Sequence, residues 1–236
     1  MNKVALITGA VGGIGRAVGK ALASHGYNLS LLDLDIEPED SEKTLFQICD
    51  VTNAGQVEKA VSSTLEKFGG IDVVFNSAGI SHTGMIDELT LEEAQKVYGV
   101  NAMGTFNVSR AVIPSMKKRK SGYIINMGSM RGIECGKGKA AYSMSKFAVR
   151  AFSKTLKAEV EKYGIKVTII NPGFVDTKIY GDVSLRPYVQ SIPGKDLQEA
   201  SLTHPDDIAK TVLYLLELSP GACVEEINIG RLWGFK

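Results

Sequence analysis

The chain has 236 residues, 44% of them apolar, which is enough to bury a substantial core and suits one large α/β domain spanning residues 1–236. Its 27 lysines and arginines stand against 26 aspartates and glutamates, so there is no broad charged footprint for nucleic acid or an anionic membrane, and neither partner is expected. Cys49, Cys135 and Cys223 are odd in number and far apart, with no Cys/His ligand spacing, which argues against a disulfide framework and a metal site and points to the cytoplasm.

The N-terminal MNKVALITGA enters a strand-like run at once, with no signal-peptide pattern, and no later apolar run reaches membrane-spanning length. KVALIT is the first predicted strand. The TGAVGGIG that follows puts Gly9, Gly13 and Gly15 at a strand-to-helix junction, where glycine permits a tight turn and lets the backbone approach a pyrophosphate at the helix N-terminus. Ile14, Ala17, Val18, Ala21 and Leu22 recur at i, i+3, i+4, i+7 and i+8, predicting an amphipathic helix. NLSLLDL is the second strand, and Asp33 closes it at the distance from the turn where a carboxylate accepts hydrogen bonds from ribose hydroxyls; Asp35 is a nearby substitute. A 2′-phosphate would meet that carboxylate, and Ala10, Val11 and Gly12 supply no base, so NAD is expected over NADP.

IEPEDSEKT comes next, short, charged and containing a proline, and reads as a loop rather than a covering helix. LFQIC, IDVVFNS, GYIINM, IKVTIINP and EEINIG bring the strands to seven. Their alternation with helical periods predicts a doubly wound parallel sheet with helices on both faces. One helix is expected from Leu91 toward Met116, interrupted by glycine. Another is expected from Ala140 to Tyr163, where the stripe of Val149, Phe152, Leu156 and Val160 could face the sheet or another subunit. Within it Tyr142 and Lys146, one turn apart, share a face, so an ammonium sits beside a phenol. Pro205 suits the first turn of a last helix.

In this order the motifs resemble the short-chain dehydrogenase/reductase family, over nearly the whole chain. Thr8, Gly9, Gly13 and Gly15 match TGxxxGxG; Asn76 to Gly79 read NSAG; Asn101 lies in VNAMGTF, Ser129 in IINMGSM, and Tyr142 with Lys146 form YxxxK; Asn171 to Thr177 read NPGFVDT. The resemblance implies a single-domain Rossmann-type fold and an NAD(H)-dependent enzyme that interconverts a secondary alcohol and a ketone. Asn101, Ser129, Tyr142 and Lys146 would be its catalytic residues, with Tyr142 as general acid/base. A phenol of pKa about 10 exchanges its proton poorly near neutrality, and the Lys146 ammonium and the nicotinamide charge favour its ionised form. Ser129 would donate to the substrate oxygen, and Asn101 would hold a water linking Lys146 to solvent. The cofactor would lie along Thr8, Gly9, Gly13, Ile14, Gly15, Asp33, Asp50, Val51, Asn76, Ala78, Gly79, Pro172, Gly173, Val175 and Thr177, with Tyr142 and Lys146 at its nicotinamide end. Asp50 would contact the adenine, backbone atoms of Asn76 and Val175 would line the cofactor channel, and Thr177 would bond the nicotinamide amide and Lys146 the ribose. By residue type alone, Asn101 could instead hold helices or a kink together, Ser129 could cap a strand, and Pro172–Gly173 could form a plain turn.

Some segments depart from the family pattern. The second crossover helix is missing. Between Ser129 and Tyr142, the residues Arg131, Glu134, Lys137 and Lys139 could border a polar substrate, but are expected to be exposed loop charge. The stretch 177–200 is the expected substrate lid, with Tyr180, Arg186 and Tyr188 of interest. The family commonly forms tetramers through its two long helices, so a homo-oligomer, tetramer or dimer, is expected. Two other functions compete: an NADP(H)-dependent carbonyl or 3-oxoacyl reductase that meets the 2′-phosphate with Lys43 or Arg16, and a non-catalytic dinucleotide sensor. The intact Ser129, Tyr142 and Lys146 set counts against the sensor.

Overall fold

The computed structural model describes residues 2–35, 41–177, 179 and 202–230. Seven strands form one parallel sheet: β1 (Val4–Thr8), β2 (Asn28–Asp33), β3 (Thr44–Ile48), β4 (Val73–Asn76), β5 (Gly122–Met127), β6 (Ile165–Pro172) and β7 (Glu226–Ile229). They are ordered β3-β2-β1-β4-β5-β6-β7. The chain builds outward from β1 to β3 and then returns to the other side of β1. The strand order therefore reverses between β1 and β4, where ligands of doubly wound sheets bind beyond the carboxyl ends of the strands.

The central strands are apolar on both faces, and the two-residue alternation sorts their side chains between two helical layers. Ile7, Phe75 and Ile125 pack with Val18 and Leu22 of α1 (Gly13–Ser24) and with Ile208, Val212 and Leu215 of α6 (Pro205–Glu217). Leu6, Val74 and Ile124 pack with Val57 and Val61 of α2 (Ala54–Phe68), Val108, Val112 and Met116 of α4 (Gly104–Arg119), and Leu156 and Val160 of α5 (Ala140–Val160). Each such aliphatic side chain contributes roughly 1.5–3 kcal/mol on full burial. The α5 stripe is thereby resolved: Val149, Leu156 and Val160 are buried on the sheet side, and Phe152 is partly buried.

The expected glycine interruption between Leu91 and Met116 is corrected by the structure. Helix α3 (Leu91–Tyr98) continues through a π-helical turn, Gly99–Met103, directly into α4. Gly99 and Gly104 both keep right-handed helical angles. Gly104 is required by packing, because a Cβ there would lie 2.5 Å from Val51 Cγ2. Between β2 and β3 no helix occurs among the described residues, and residues 36–40 of IEPEDSEKT lie outside them. Of the expected lid, only residues 177 and 179 are described, so Tyr180, Arg186 and Tyr188 lie outside the described residues. No described helix is long and apolar enough to cross a membrane.

A buried polar ladder crosses the sheet just beneath its carboxyl edge. Asn76 Nδ2 donates to Ser109 Oγ (3.3 Å) on α4 and to Asn126 Oδ1 (2.8 Å) on β5, and Asn126 Nδ2 donates to Ser153 Oγ (2.9 Å) on α5. Asn76 Oδ1 is buried with no partner among the described residues, while the amide and hydroxyl groups named here satisfy one another, and such a network fixes the register of the elements it joins.

Candidate active site

At the end of β1 the chain turns on Gly9, whose φ of +65° lies in the left-handed region favoured by glycine. A Cβ on Gly15 would lie 2.1 Å from the Gly9 carbonyl oxygen, and one on Gly9 would lie 2.8 Å from the Ala78 backbone. Thr8 Oγ1 accepts the N–H groups of Ser77 and Ala78, each at 3.1 Å, which ties the NSAG segment onto the glycine turn. Helix α1 starts with no side-chain cap and no acidic residue in its first turn. Its N–H groups and positive dipole end are thus available to an anion approaching across side-chain-free backbone. This cradle fits the pyrophosphate of a dinucleotide. At its edge Asp33 is half-buried, with Oδ2 accepting the Val11 N–H (3.0 Å) and Oδ1 accepting the Leu34 N–H (2.8 Å). A carboxylate has about four acceptor positions, so two remain for hydroxyls.

A cavity of about 380 Å³ extends from the turn across the carboxyl ends of β5 and β6. Ile14, Ser77 and Gly79 line one side; Met127, Gly128 and Ser129 the floor; Tyr142 and Lys146 of α5 another; and Pro172, Gly173, Val175 and Thr177 close it. Tyr142 is buried, and Lys146 Nζ lies 5.7 Å from its ring centroid. Lys146 is buried too, donates to the Met127 carbonyl (2.8 Å), and has its pKa pushed down to about 8 by burial.

Ser129 lies at the end of β5. Its N–H donates to Asn171 Oδ1 (3.2 Å), and its Oγ accepts the Arg131 N–H (3.1 Å). The hydroxyl thus caps a short turn, as its residue type allows, and also lines the cavity. Asn171 is fixed in turn: its Nδ2 donates to Glu226 Oε1 (2.7 Å) and Asn228 Oδ1 (3.0 Å). Glu226 is gripped by both Nε and Nη2 of Arg150, at 2.8 and 3.1 Å, with Lys154 at 3.3 Å. Those cations, Arg150 first, hold its carboxyl below the usual range. Glu226 and Arg150 escape sequence reading because they belong to no motif and are 76 residues apart.

Asn101 sits in the π turn behind the cavity. Its Oδ1 accepts the Ile80 N–H (2.9 Å), and its Nδ2 donates to the Ile80 carbonyl (3.0 Å) and to Ser145 Oγ (2.9 Å). Ser145 Oγ donates to the Tyr142 carbonyl (2.7 Å). The amide therefore clamps the segment after NSAG to the tyrosine's own turn of α5. Gly79 lies against both groups: a Cβ there would be 3.3 Å from Asn101 Oδ1 and 3.8 Å from Lys146 Nζ.

Asp50 and Val51 do not line the cavity, and neither do Thr8, Gly9, Gly13, Gly15, Asp33 and Ala78 of the β1 end, the glycine turn and its edge. Asp50 Oδ1 accepts the Thr52 N–H and hydroxyl, both at 2.8 Å, beyond the end of β3, and Val51 is buried against Gly104. Asn76 points its side chain into the buried ladder, which leaves its backbone for the expected cofactor contact, and its neighbour Ser77 lines the cavity. Lys139 departs from expectation. It is only 3% exposed, lines the cavity and donates to Thr83 Oγ1, whereas Lys137 and Glu134 are exposed as expected. The reason is its position immediately before the first turn of α5, where the chain folds back over the Thr83 loop.

The short chain dehydrogenase family model matches residues 3–186. An uncharacterized oxidoreductase of Staphylococcus saprophyticus is 34% identical, over 97% of both chains. Among solved structures, an alcohol dehydrogenase from the archaeon Thermococcus sibiricus complexed with 5-hydroxy-NADP is 30% identical, with a TM-score of 0.83 over 98% of this chain and 97% of that one. A 3-ketoacyl-(acyl-carrier-protein) reductase from Brucella melitensis complexed with NADH is 27% identical, with a TM-score of 0.84 over 97% of this chain and 96% of that one. The likeness extends through the glycine turn, the Ser129 strand end and the Tyr142 helix alike, and this chain belongs to the short-chain dehydrogenase/reductase family of NAD(P)-dependent oxidoreductases.

Proposed function

We propose that the enzyme interconverts a secondary alcohol and a ketone with NAD(H), in the cytoplasm and as a homo-oligomer. The observation that carries this reading is the convergence of Tyr142, Lys146 and Ser129 on one cavity that Ile14 of the glycine turn also lines. Nicotinamide, when bound, supplies or accepts the hydride. In the reducing direction Tyr142 gives its phenolic proton to the oxygen that becomes the alcohol, and in the oxidising direction it takes that proton back. Ser129 Oγ, which accepts the Arg131 N–H, keeps its proton to donate to the same oxygen and stabilise developing negative charge. Lys146 holds positive charge beside the phenol and hands protons onward, and Asn101 keeps α5 in register with the NSAG segment.

Asp33 supports NAD over NADP, since its carboxylate stands at the turn where a 2′-phosphate would approach. Arg16 and Lys43, the bases a phosphate would need, are exposed. The NADP derivative in the Thermococcus sibiricus enzyme keeps the other cofactor as the second reading.

The test is nicotinamide absorbance with each cofactor, in both directions, over ketones, aldehydes, alcohols and sugars, for wild type beside Tyr142→Phe. Turnover with NAD(H) that falls by about 10²-fold or more in the variant is the expected result. Cofactor binding without turnover of any carbonyl or alcohol would leave only a dinucleotide-binding protein.

A further inference from the structure

Among the described residues, four ionisable side chains besides Tyr142 line the cavity: Arg131, Glu134, Lys139 and Lys146. Lys146 is engaged beside Tyr142 and at the Met127 carbonyl. Among the remaining described residues of the cavity wall, Arg131 and Lys139 are the cations and Glu134 the carboxylate. The two cations differ in setting. Arg131 donates to the Cys135 carbonyl (3.2 Å) and is half-buried, whereas Lys139 is almost wholly buried. An ammonium is desolvated there at a cost, beside the N-terminus of a 21-residue helix that has no acidic residue in its first turn. Dipole, guanidinium and ammonium all add positive potential to the same wall. Burial and Arg131 accordingly push the Lys139 pKa down to about 8.

We propose that Lys139, seconded by Arg131, receives an anionic group of the substrate, so that the carbonyl or alcohol acted on belongs to a small oxo acid or hydroxy acid. The inference rests on the oxidoreductase reading above. Among the described lining residues outside the Tyr142–Lys146 pair, Lys139 is the buried cation, and a singly charged carboxylate asks less of it than a doubly charged phosphate does. Lys139 precedes Tyr142 by three residues, about 4.5 Å along a helix axis. Both residues line the same cavity, so the charged group and the reacting oxygen belong to one bound substrate. The cavity also has to admit the nicotinamide end of the cofactor along Ile14 and Gly79, which leaves room for a small acid rather than a long chain.

The test uses oxo acids whose ketone lies one to four carbons from the carboxylate, each with its methyl ester and its phosphonate analogue. Wild type is run beside Lys139→Gln and, as a control on an exposed neighbour, Lys137→Gln. Expected is an acid-over-ester ratio in kcat/KM of about tenfold or more in wild type and in the Lys137 variant, collapsing toward one in Lys139→Gln, mainly through KM. A wild type indifferent to the charge overturns the inference and leaves the oxidoreductase reading standing. A preference for the phosphonate overturns the carboxylate assignment. Should Lys139→Gln fail to fold, calorimetry on wild type loaded with NADH compares acetate, propionate and butyrate with their amides. Tighter carboxylate binding supports the inference, even if no carbonyl is turned over and the oxidoreductase reading falls. Equal binding overturns it.

Discussion

The backbone N–H of Ser129 is held by the side chain of Asn171, and Asn171 is held by Glu226. A serine that must present its hydroxyl at a fixed point is thereby tied, through one amide, to an ion cluster on α5 and β7. A Cβ on Gly128 would lie 2.0 Å from Asn171 Oδ1, so the amide sits tight against the strand end. Asn171→Leu leaves the buried Ser129 N–H without its acceptor and is expected to destabilise by about 1–3 kcal/mol. Thermal unfolding would register this, with kcat falling more than KM rises if Ser129 has shifted. Glu226→Gln is the milder variant. Its parent carboxyl is held below the usual range, so its stabilisation is present above the unfolded-state pKa and is lost as pH falls through the folded value. The wild-type advantage over Glu226→Gln should therefore vanish in acid, which denaturation midpoints across that range would measure.

The proposed preference for NAD rests on Asp33. Replacement by arginine exchanges a hydroxyl acceptor for a phosphate donor at the turn, so Asp33→Arg should weaken NADH binding and strengthen NADPH binding, moving the ratio of dissociation constants by about tenfold or more. Tighter NADPH binding by wild type would remove the assignment.

Lys139 bears on stability as well as on substrate. Its folded-state pKa is about 8 against an ordinary 10.5. Between those values the unfolded chain binds the proton and the folded one does not, so this group makes the protein more stable as pH rises through the window. The gain is up to about 3 kcal/mol. Lys139→Met should lack that rise, and should be at its greatest advantage over wild type below pH 8. Denaturant midpoints at the two ends of the window test it; parallel curves for the two proteins would mean the ammonium is not desolvated.

The proposed oligomer has a surface to use, and it is not the stripe first read in α5. Val149 and Leu156 belong to the core, whereas Met103 and Phe106 at the start of α4 and Met144 and Phe147 on α5 are exposed. Phe106 meets Phe152 edge-on, with centroids 5.7 Å apart. Phe106→Asp should shift sedimentation toward smaller species while leaving far-UV circular dichroism intact. A wild type that sediments as a monomer at working concentration would dispose of the oligomer.

What could be read from the chain alone followed from local rules. Strands such as VALIT and the six-residue GYIINM are apolar runs bounded by turn residues, and a four-residue spacing on a helix puts Tyr142 and Lys146 on one face whatever surrounds them. Illegible features were those set by tertiary contact. Gly99 and Gly104 looked like breaks, yet the second is a close approach to Val51, which nothing local records. Lys139 lies in a segment without periodicity, where burial depends on the Thr83 loop 56 residues away. Asn171 could be placed in a motif, but its tie to Glu226 joins positions 55 apart.

The π turn at Gly99–Met103 has a further consequence. A wider turn inserts residue without adding rise in proportion, so it acts as a phase shifter in an otherwise 3.6-residue screw. Before it, Val97 of α3 packs in a cluster with Ala141 and Tyr142; after it, Val108 and Val112 of α4 face the sheet. Deleting one residue from the turn would rotate α3 against α4 by about 100°. The rod would stay helical, but Val97 would be carried off the tyrosine while the sheet contacts of α4 were kept, so the length of that turn sets the orientation of the active-site wall.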